Sequence, residues 1–210
     1  MFLNINKPSG MTSHDVVDRV RRMTGERTVG HAGTLDPFAT GVLVVGVTRA
    51  ATKQLGTITK GTDKEYIATV FLGKTSTTGD PEGTLTVTAS DALVQTITRD
   101  RVEKALMSFA GTIQQTPPAY SAIKVNGVPA YKLARRGKTM SLTPRAVTIS
   151  SLELLQFHLP EIQLRVVCSA GTYIRVLAED IGKALGVGGY LSILTRTRVG
   201  HFRIEESQSL

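Results

Sequence analysis

The segment from Gly30 to Gly41 constrains the fold most, because it lacks hydrophobic periodicity and leads directly into an apolar run. It contains three glycines, two threonines and one Asp-Pro pair. The run that follows, residues 42–47 (VLVVGV), has the length and composition of a buried strand. A loop of this kind beside a core strand is a place where a rigid scaffold can present a functional group.

Helical and extended patterns alternate along the rest of the chain, which predicts a mixed α/β (α+β) fold rather than a bundle or a sandwich. An apolar face made by Val16, Val17, Val20 and Met23 indicates a helix between Thr12, a possible N-cap, and Gly25. Further helices are predicted over 49–55, 99–110 and 174–185, the last capped by Thr172. Strands are predicted over residues 42–47, 64–72, 147–157, 162–168 and 191–202, with a loop and a short edge strand in 73–88.

Net charge, cysteine content and the length of apolar runs indicate which partners and which cellular compartment to expect. The formal net charge is +8 and the sequence pI is about 9.8, which favours a polyanionic partner such as nucleic acid. The single cysteine, Cys168, cannot form an internal disulfide and lies in an apolar run, as a core residue would. No apolar run reaches the roughly 18 residues of a membrane span. We therefore expect a cytoplasmic protein with no membrane contact.

The sequence contains no recognisable metal-ligand motif and no recognisable cofactor-binding motif. The four histidines are scattered, and no cysteine pair accompanies them. Gly-Lys-Thr triplets begin at Gly73 and Gly137, but Ala68 and Lys132 stand where a phosphate-binding loop needs its earlier glycine. We therefore expect neither metal nor cofactor, and chemistry must come from ordinary side chains.

Asp36 is the foremost candidate for that chemistry. Gly33 and Gly41 permit tight turns on either side of it, and Pro37 biases Asp36 towards an extended conformation. The plain alternative is that Asp-Pro merely starts a turn or caps a helix. Arg175 is predicted in the first turn of a helix, where a positive charge opposes the helix dipole. An anionic partner such as Asp36 would explain that placement.

Residues 116–138 form a distinct insertion. A Pro-Pro pair opens it, and Asn126-Gly127 between extended residues predicts a hairpin. A short helix with a basic end follows, which would suit a phosphate backbone or simply a solvated surface.

Several segments, taken together, resemble the bacterial tRNA pseudouridine-55 synthase family of the TruB type. They occur in the family's order over nearly the whole chain, and several short matches in register are more specific than any one alone. The matching segments are residues 4–13 (NINKPSGMTS), 30–41 (GHAGTLDPFATG), 63–66 (DKEY), 116–124 (TPPAYSAIK), 168–175 (CSAGTYIR) and 194–197 (LTRT).

The resemblance implies roles for the matching residues. Asp36 would be the essential aspartate, acting as nucleophile or as base when the glycosidic bond breaks. Arg175 would pair with it. Tyr66 would stack on the target base and remove a proton late in the reaction, while Tyr173 and Leu194 would line the pocket.

The remaining implied contacts concern the RNA. His31 would occupy the space that the displaced base leaves, and Lys7 and Lys124 would contact substrate. The substrate would be uridine 55 in the T arm of tRNA, isomerised by a monomer that needs no metal or cofactor.

The resemblance also implies an architecture. We expect a pseudouridine synthase fold over residues 1–210, with a central, mostly antiparallel sheet flanked by helices and loops. The insertion at about 116–138 would be a thumb that closes on RNA. Members of the family continue into a small PUA-like RNA-binding domain, which we expect to be absent from these 210 residues.

Two other functions remain open on the sequence. Gly-Thr-Leu-Asp resembles the nucleophile loop of aspartyl phosphotransferases, but Pro37 and Phe38 follow where a second carboxylate for magnesium would be expected. The other possibility is an RNA chaperone or a guide-RNA-dependent relative of the same family, which would bind RNA without independent catalysis.

Overall fold

A sheet of nine strands organises the protein in the computed structural model, which describes residues 1–121, 123–125, 127–138 and 140–210. The strands of this sheet are β1 (Phe2–Lys7), β2 (Val29–Ala32), β3 (Thr40–Val47), β4 (Lys64–Leu72), β7 (Gly111–Gln115), β10 (Arg145–His158), β11 (Glu161–Cys168), β12 (Gly189–Val199) and β13 (Phe202–Arg203). Two small hairpins lie apart from it, formed by β5 (Lys74–Ser76) with β6 (Leu85–Val87) and by β8 (Lys124–Val125) with β9 (Val128–Pro129).

The helices are α1 (Ser13–Thr24), α2 (Arg49–Gly61), α3 (Asp91–Gln95), α4 (Arg99–Met107), α5 (Ala130–Ala134) and α6 (Ile174–Ala184), and a 3-10 turn covers Ile204–Glu206. Among the described residues, no helix combines the length and apolar character needed to cross a bilayer.

The sheet runs in the order β1-β3-β12-β4-β11-β10-β7, with β2 added to β3 and β13 added to β12. Every pairing is antiparallel except that of β12 with β3. The predicted mixed fold with a mostly antiparallel sheet is therefore confirmed. The parallel contact joins Thr195 to Thr40 and Arg196 to Gly41. It brings the end of the Gly30–Gly41 loop against a strand that is 155 residues away in sequence.

The main core fills one face of the sheet. Tyr66, Ala68, Val70 and Leu72 alternate along β4 and are all buried, as their spacing predicts. They pack in one cluster with buried residues of β11, α4 and α6. Each fully buried aliphatic side chain stabilises the fold by roughly 1.5–3 kcal/mol, so α6 is held firmly on the sheet.

Helix α1 begins and ends as predicted. Thr12 accepts a hydrogen bond from the Asp15 amide while the Asp15 carboxylate accepts one from the Thr12 amide, a capping box. Gly25 ends the helix in the left-handed conformation. The expectation for Met23 was wrong, since this side chain is 68% exposed and the buried face ends at Val20.

Helix α6 begins differently from the prediction. Its N-cap is Tyr173, which gives the helix no side-chain cap, and not Thr172. The Thr172 hydroxyl donates instead to the carbonyl oxygen of Ser169, 3.0 Å away. A threonine hydroxyl can hydrogen-bond to any of several nearby backbone groups. The tight turn at Gly171 places the Ser169 carbonyl oxygen within reach of Thr172.

Several short elements were not predicted. β1, β2, β7 and α3 are short, and α2 runs to Gly61 rather than ending near residue 55. The 73–88 segment pairs with itself as β5 and β6 instead of adding an edge strand to the main sheet. Strands of two to six residues carry too little periodicity to identify, because distant partners decide whether they form.

The insertion contains the expected hairpin and helix. Val125 pairs with Val128 across the turn, where Gly127 has a φ of +81°, and α5 follows. Asn126, on which the turn prediction also rested, lies outside the described residues.

We predict that Gly41→Ala destabilises the protein strongly. Gly41 has a φ of +100°, and an added Cβ would lie 2.2 Å from the main-chain oxygen of Arg196 on β12. Strain and overpacking together should cost at least about 2 kcal/mol in the free energy of unfolding, measured by urea denaturation. Gly111→Ala is the matched control, because Gly111 has a φ of +86° but an added Cβ there would have no described atom outside its chain neighbours within 4 Å. It should cost about 1–2 kcal/mol, and equal losses in the two variants would contradict the close approach of β3 and β12.

Candidate active site

An ion pair between Asp36 and Arg175 lies at the centre of the candidate site. The Arg175 Nε atom is 3.0 Å from Asp36 Oδ2, and Nη2 is 3.5 Å from Oδ1. The Arg175 side chain is 6% exposed, whereas that of Asp36 is 34% exposed. The arginine is thus buried behind a carboxylate that remains open to a ligand. The structure therefore brings together the two residues that the sequence singled out from distant segments.

Arg175 has a second carboxylate partner that the sequence analysis missed. Its Nη1 atom lies 3.2 Å from Asp80 Oδ2 and donates to the Thr78 carbonyl oxygen at 2.8 Å. Its Nη2 atom donates to the Tyr120 carbonyl oxygen, also at 2.8 Å. Asp80 is itself buried. One guanidinium therefore joins the Asp36 loop, the segment after β5 and the start of the insertion, and its orientation is fixed on all sides.

The Asp36 loop is held in place from helix α1. The Ser13 hydroxyl accepts a hydrogen bond from the Leu35 amide at 2.9 Å and donates to the Leu35 carbonyl oxygen at 3.0 Å. Beyond Asp36, the Pro37 carbonyl oxygen accepts from the Gly10 amide at 2.9 Å. These contacts fix the main chain on both sides of the carboxylate before any ligand binds.

Lys7 supports the same loop from β1. Its buried ammonium group donates to the carbonyl oxygens of Pro8, Met11 and Pro37 at 2.8, 2.7 and 3.1 Å. An ammonium group has three donors, so the chain itself uses them all. These bonds give Lys7 a role in positioning the loop, and its contact with substrate stays a prediction. Burial lowers the pKa of Lys7 to about 8, and the nearby Asp36 charge opposes that shift.

Burial also raises the pKa of Asp36 above its ordinary value, although Arg175 opposes this shift. The Asp80 charge adds to the increase. Two carboxylates share one arginine, so each is compensated only in part. Asp36 consequently takes up a proton at a higher pH than a free aspartate would.

Tyr66 and Leu194 are part of the core that also contains Leu35, the residue directly before Asp36. Both are buried. Burial raises the pKa of Tyr66, and the Arg196 guanidinium beside its hydroxyl opposes the shift. The Arg196 side chain is anchored in turn, because Nε donates to the Val42 carbonyl oxygen at 2.7 Å and Nη2 to that of Gly33 at 3.0 Å.

Tyr173 stands at the start of α6, two residues before Arg175. Its ring lies near Ser121 of the insertion and Arg175, and burial raises its pKa. Both groups of its peptide backbone are bound by Gln115, a buried residue at the end of β7.

The two other predicted contact residues occupy different surroundings. His31 is half-buried on β2, and its buried Nδ1 atom has no hydrogen-bond partner among the described residues. Burial and the charge of Arg196 lower the pKa of His31. Lys124 is exposed on β8, and the described contacts do not connect it with Asp36 or Arg175.

Sequence reasoning missed Asp80 and Gln115, and it gave Arg196 no role. A signal for Asp80 was present, because Asp80-Pro81 repeats the Asp-Pro dipeptide of Asp36-Pro37. Gln115 carried no comparable signal, since an amide side chain shows its partner only in three dimensions. Within the described ranges, no group of three or more His, Cys, Asp or Glu side chains is placed to hold a metal ion.

Comparison with known sequences decides the family. The sequence model described as "TruB family pseudouridylate synthase (N terminal domain)" matches residues 21–174, and that described as "tRNA pseudouridylate synthase B C-terminal domain" matches residues 175–210. The chain belongs to the TruB family. Membership in a family of enzymes confirms the resemblance seen in the sequence. The boundary between the matches falls inside one folded unit, because β12 lies between β3 and β4.

Curated members of the TruB family are similar over the whole chain. "tRNA pseudouridine synthase B" of Mycobacterium sp. (strain KMS) is 52% identical over 210 residues, which cover 98% of this chain and 69% of the relative. The protein of the same name from Leifsonia xyli subsp. xyli (strain CTCB07) is 46% identical, covering 100% of this chain and 70% of the relative.

Solved structures agree with the predicted pseudouridine synthase fold. A chain in the crystal structure of a Cbf5-Nop10-Gar1 complex superposes with a TM-score of 0.76 at 31% identity, over 100% of this chain and 52% of that one. A chain in the structure of an H/ACA RNP bound to a substrate RNA containing 2'-deoxyuridine gives a TM-score of 0.72 at 29% identity, over 99% and 50%. The protein thus spans about half the length of these solved chains.

We predict opposite effects on stability when two aspartates are neutralised. The raised pKa of Asp36 means that its ionised form is disfavoured by folding, and this cost is present above the folded-state pKa and absent in acid. The pKa of Asp15 is lowered by hydrogen bonds from Thr12, so its contribution is present at neutral pH and is lost in acid. At pH 7, Asp36→Asn should therefore keep or raise the melting temperature, and Asp15→Asn should lower it.

Thermal unfolding at pH 7 and pH 4 checks this prediction. Both differences from the wild-type protein should shrink at the lower pH. A marked loss of stability in Asp36→Asn at pH 7 would show that Asp80 cannot compensate Arg175 alone, which contradicts the raised pKa of Asp36.

Proposed function

We propose that this protein converts uridine 55 in the T loop of tRNA to pseudouridine, with Asp36 as the catalytic carboxylate. The observation that carries the proposal is the ion pair of Asp36 with Arg175, in which the arginine is buried and the carboxylate is partly open. The names of the curated relatives, which are 46–52% identical, supply tRNA as the substrate class.

The reaction rearranges bonds without any net gain or loss of atoms. The N1–C1′ bond of uridine breaks, the uracil turns within the site, and C5 forms the new bond to C1′. C5 loses its proton and N1 gains one, so the product is an isomer. Asp36 opens the glycosidic bond, as nucleophile or as base, and Arg175 fixes the position of the carboxylate so that little reorganisation is needed at that step.

We propose that the surrounding residues hold the uracil after it is detached from the ribose. We assign Tyr66 to stacking against uracil, since stacking of a base on an aromatic side chain contributes about 1–3 kcal/mol. The raised pKa of Tyr66 favours its neutral phenol. Its oxygen would therefore take the C5 proton late, after the C5–C1′ bond has formed, while its own hydroxyl proton leaves to solvent, from which N1 is protonated. Leu194 and Tyr173 would line the pocket. His31 would fill the space that the flipped nucleotide vacates, and its imidazole favours the neutral form because burial lowers its pKa.

Binding of RNA would depend on positive charge rather than on sequence reading. The basic side chains of the insertion are exposed, and we propose that this thumb (about 116–138) grips the phosphate backbone. They are Lys124, Lys132, Arg135, Arg136 and Lys138. A uridine inside a folded T loop must be flipped out, at a cost of roughly a few kcal/mol. Contacts with the backbone and stacking on Tyr66 would offset that cost.

The remaining features of the proposal follow from the family. We propose that residues 1–210 act as one catalytic domain, that the protein works as a cytoplasmic monomer, and that it needs no cofactor. A guide-RNA-dependent function is the competing possibility, because the similar solved chains come from a Cbf5-Nop10-Gar1 complex and an H/ACA RNP. The higher identity to tRNA pseudouridine synthases B favours action on tRNA without a guide.

The proposal is tested by incubating the protein with unmodified tRNA. Pseudouridine should be found at position 55 when it is mapped by chemical adduct formation and primer extension, without added guide RNA or metal. Asp36→Asn should bind the same tRNA and form no product, because the amide cannot act as nucleophile or base. Folded wild-type protein that leaves the T loop unmodified would overturn the enzyme assignment. Full activity of Asp36→Asn would remove Asp36 from the chemistry.

Affinity for tRNA should fall steeply as salt rises. Each phosphate contact releases condensed counterions, so several contacts should weaken binding by about 10³-fold or more between 50 and 200 mM salt. Neutralising Arg135 and Arg136 together should reduce the slope of log affinity against log salt. Filter binding or fluorescence anisotropy at five salt concentrations measures it. A flat response would contradict recognition through the backbone.

A further inference from the structure

Gln115 makes a reciprocal pair of hydrogen bonds with the backbone of Tyr173. Its Oε1 atom accepts from the Tyr173 amide at 2.8 Å, and its Nε2 atom donates to the Tyr173 carbonyl oxygen at 3.1 Å. The glutamine is 2% exposed, and it lies 58 residues before its partner in sequence. Buried amide pairs of this kind are costly to leave unmade, so the geometry is strongly specified.

The start of α6 has a particular need for this contact. The first amides of a helix have no partner inside it, and a side chain at the N-cap normally satisfies one of them. Tyr173 cannot do so, and the Thr172 hydroxyl is bound to Ser169. Gln115, at the end of strand β7, therefore supplies the acceptor for the Tyr173 amide. It also binds the Tyr173 carbonyl oxygen, which accepts the Leu177 amide as well.

The contact fixes the part of α6 that carries the site. Tyr173 contributes its ring to the proposed pocket, and Arg175 follows one half-turn later with its guanidinium on Asp36. Gln115 ends β7, directly before the insertion begins at Thr116. The same insertion reaches Arg175 again through the Tyr120 carbonyl oxygen. The root of the thumb is thus joined to α6 at Tyr173 and at Arg175.

We propose that Gln115 is a positioning residue for the reaction, which holds Tyr173 and Arg175 in register with Asp36. It touches neither the carboxylate nor the substrate and acts through the backbone of α6. This inference rests on the proposed function and adds a residue to it. A displacement of about 1 Å at a reacting group can cost on the order of 100-fold in rate, so loss of the clamp should act mainly on turnover.

Gln115→Met tests the clamp by removing both hydrogen bonds while keeping the length of the side chain. We expect kcat for pseudouridine formation to fall by about 10- to 100-fold, with the Kd for tRNA changed less than about twofold. Gln114→Met is the matched control, because Gln114 is the exposed neighbour on β7 and makes no side-chain hydrogen bond within the described structure. It should retain wild-type kcat and Kd.

The pH profile separates positioning from a general loss of stability. Arg175 lowers the pKa of Asp36 against the effect of burial. A loosened arginine would therefore shift the acidic limb of the kcat profile to higher pH in Gln115→Met, and Gln114→Met should not show this shift. A purely structural role would reduce the folded fraction and leave the limb in place.

Gln115→Glu provides a second test should the methionine variant fold poorly. Its carboxylate can accept from the Tyr173 amide but has no proton for the Tyr173 carbonyl oxygen. Protonation restores that donor, so the ratio of its kcat to that of the wild-type protein should rise as pH falls. A ratio that is independent of pH, or unchanged kcat in a folded Gln115→Met, overturns the proposal. If wild-type protein forms no pseudouridine, the proposed function fails instead.

Discussion

The structure depends on a buried arginine that is shared between two carboxylates. Arg175 is buried against Asp80 and Asp36, and each nitrogen of its guanidinium has a partner. Asp80 is inside the protein and compensates the charge permanently, whereas Asp36 remains partly open. Removing one partner from a buried ion pair destabilises a protein more than replacing both partners by apolar residues does. This division lets Asp36 meet a ligand while Arg175 stays paired.

The fold brings three distant segments of the chain together at this arginine. The parallel contact of β12 with β3 brings the Asp36 loop to the middle of the sheet, and α6 packs on the same core with Arg175 in its first turn. Ser13 and Lys7 then fix the loop through its main chain. The carboxylate is therefore preorganised by backbone contacts, which leave the side chain itself available.

This arrangement raises the pKa of Asp36 and so gives it two opposed constraints. Burial and the neighbouring Asp80 favour the protonated form, while Arg175 favours the ionised form that the proposed chemistry uses. A site that holds a partly desolvated charge sacrifices stability for reactivity, which is a common feature of active sites. In the proposed function, the isomerisation would use these side chains, whose positions the surrounding main chain controls tightly.

The sequence by itself determined the mixed fold, the long strands, the capping of α1 and the candidacy of Asp36 and Arg175, because local periodicity, caps and turn residues are recorded in neighbouring positions. It did not determine the strand order, the short strands β1, β2 and β7, or the cap of α6. Nor did it reveal that Lys7 binds three main-chain carbonyl oxygens, or that Asp80 and Gln115 support the site. Those features depend on which atoms of distant segments come within hydrogen-bond distance, and only the packed tertiary structure decides that.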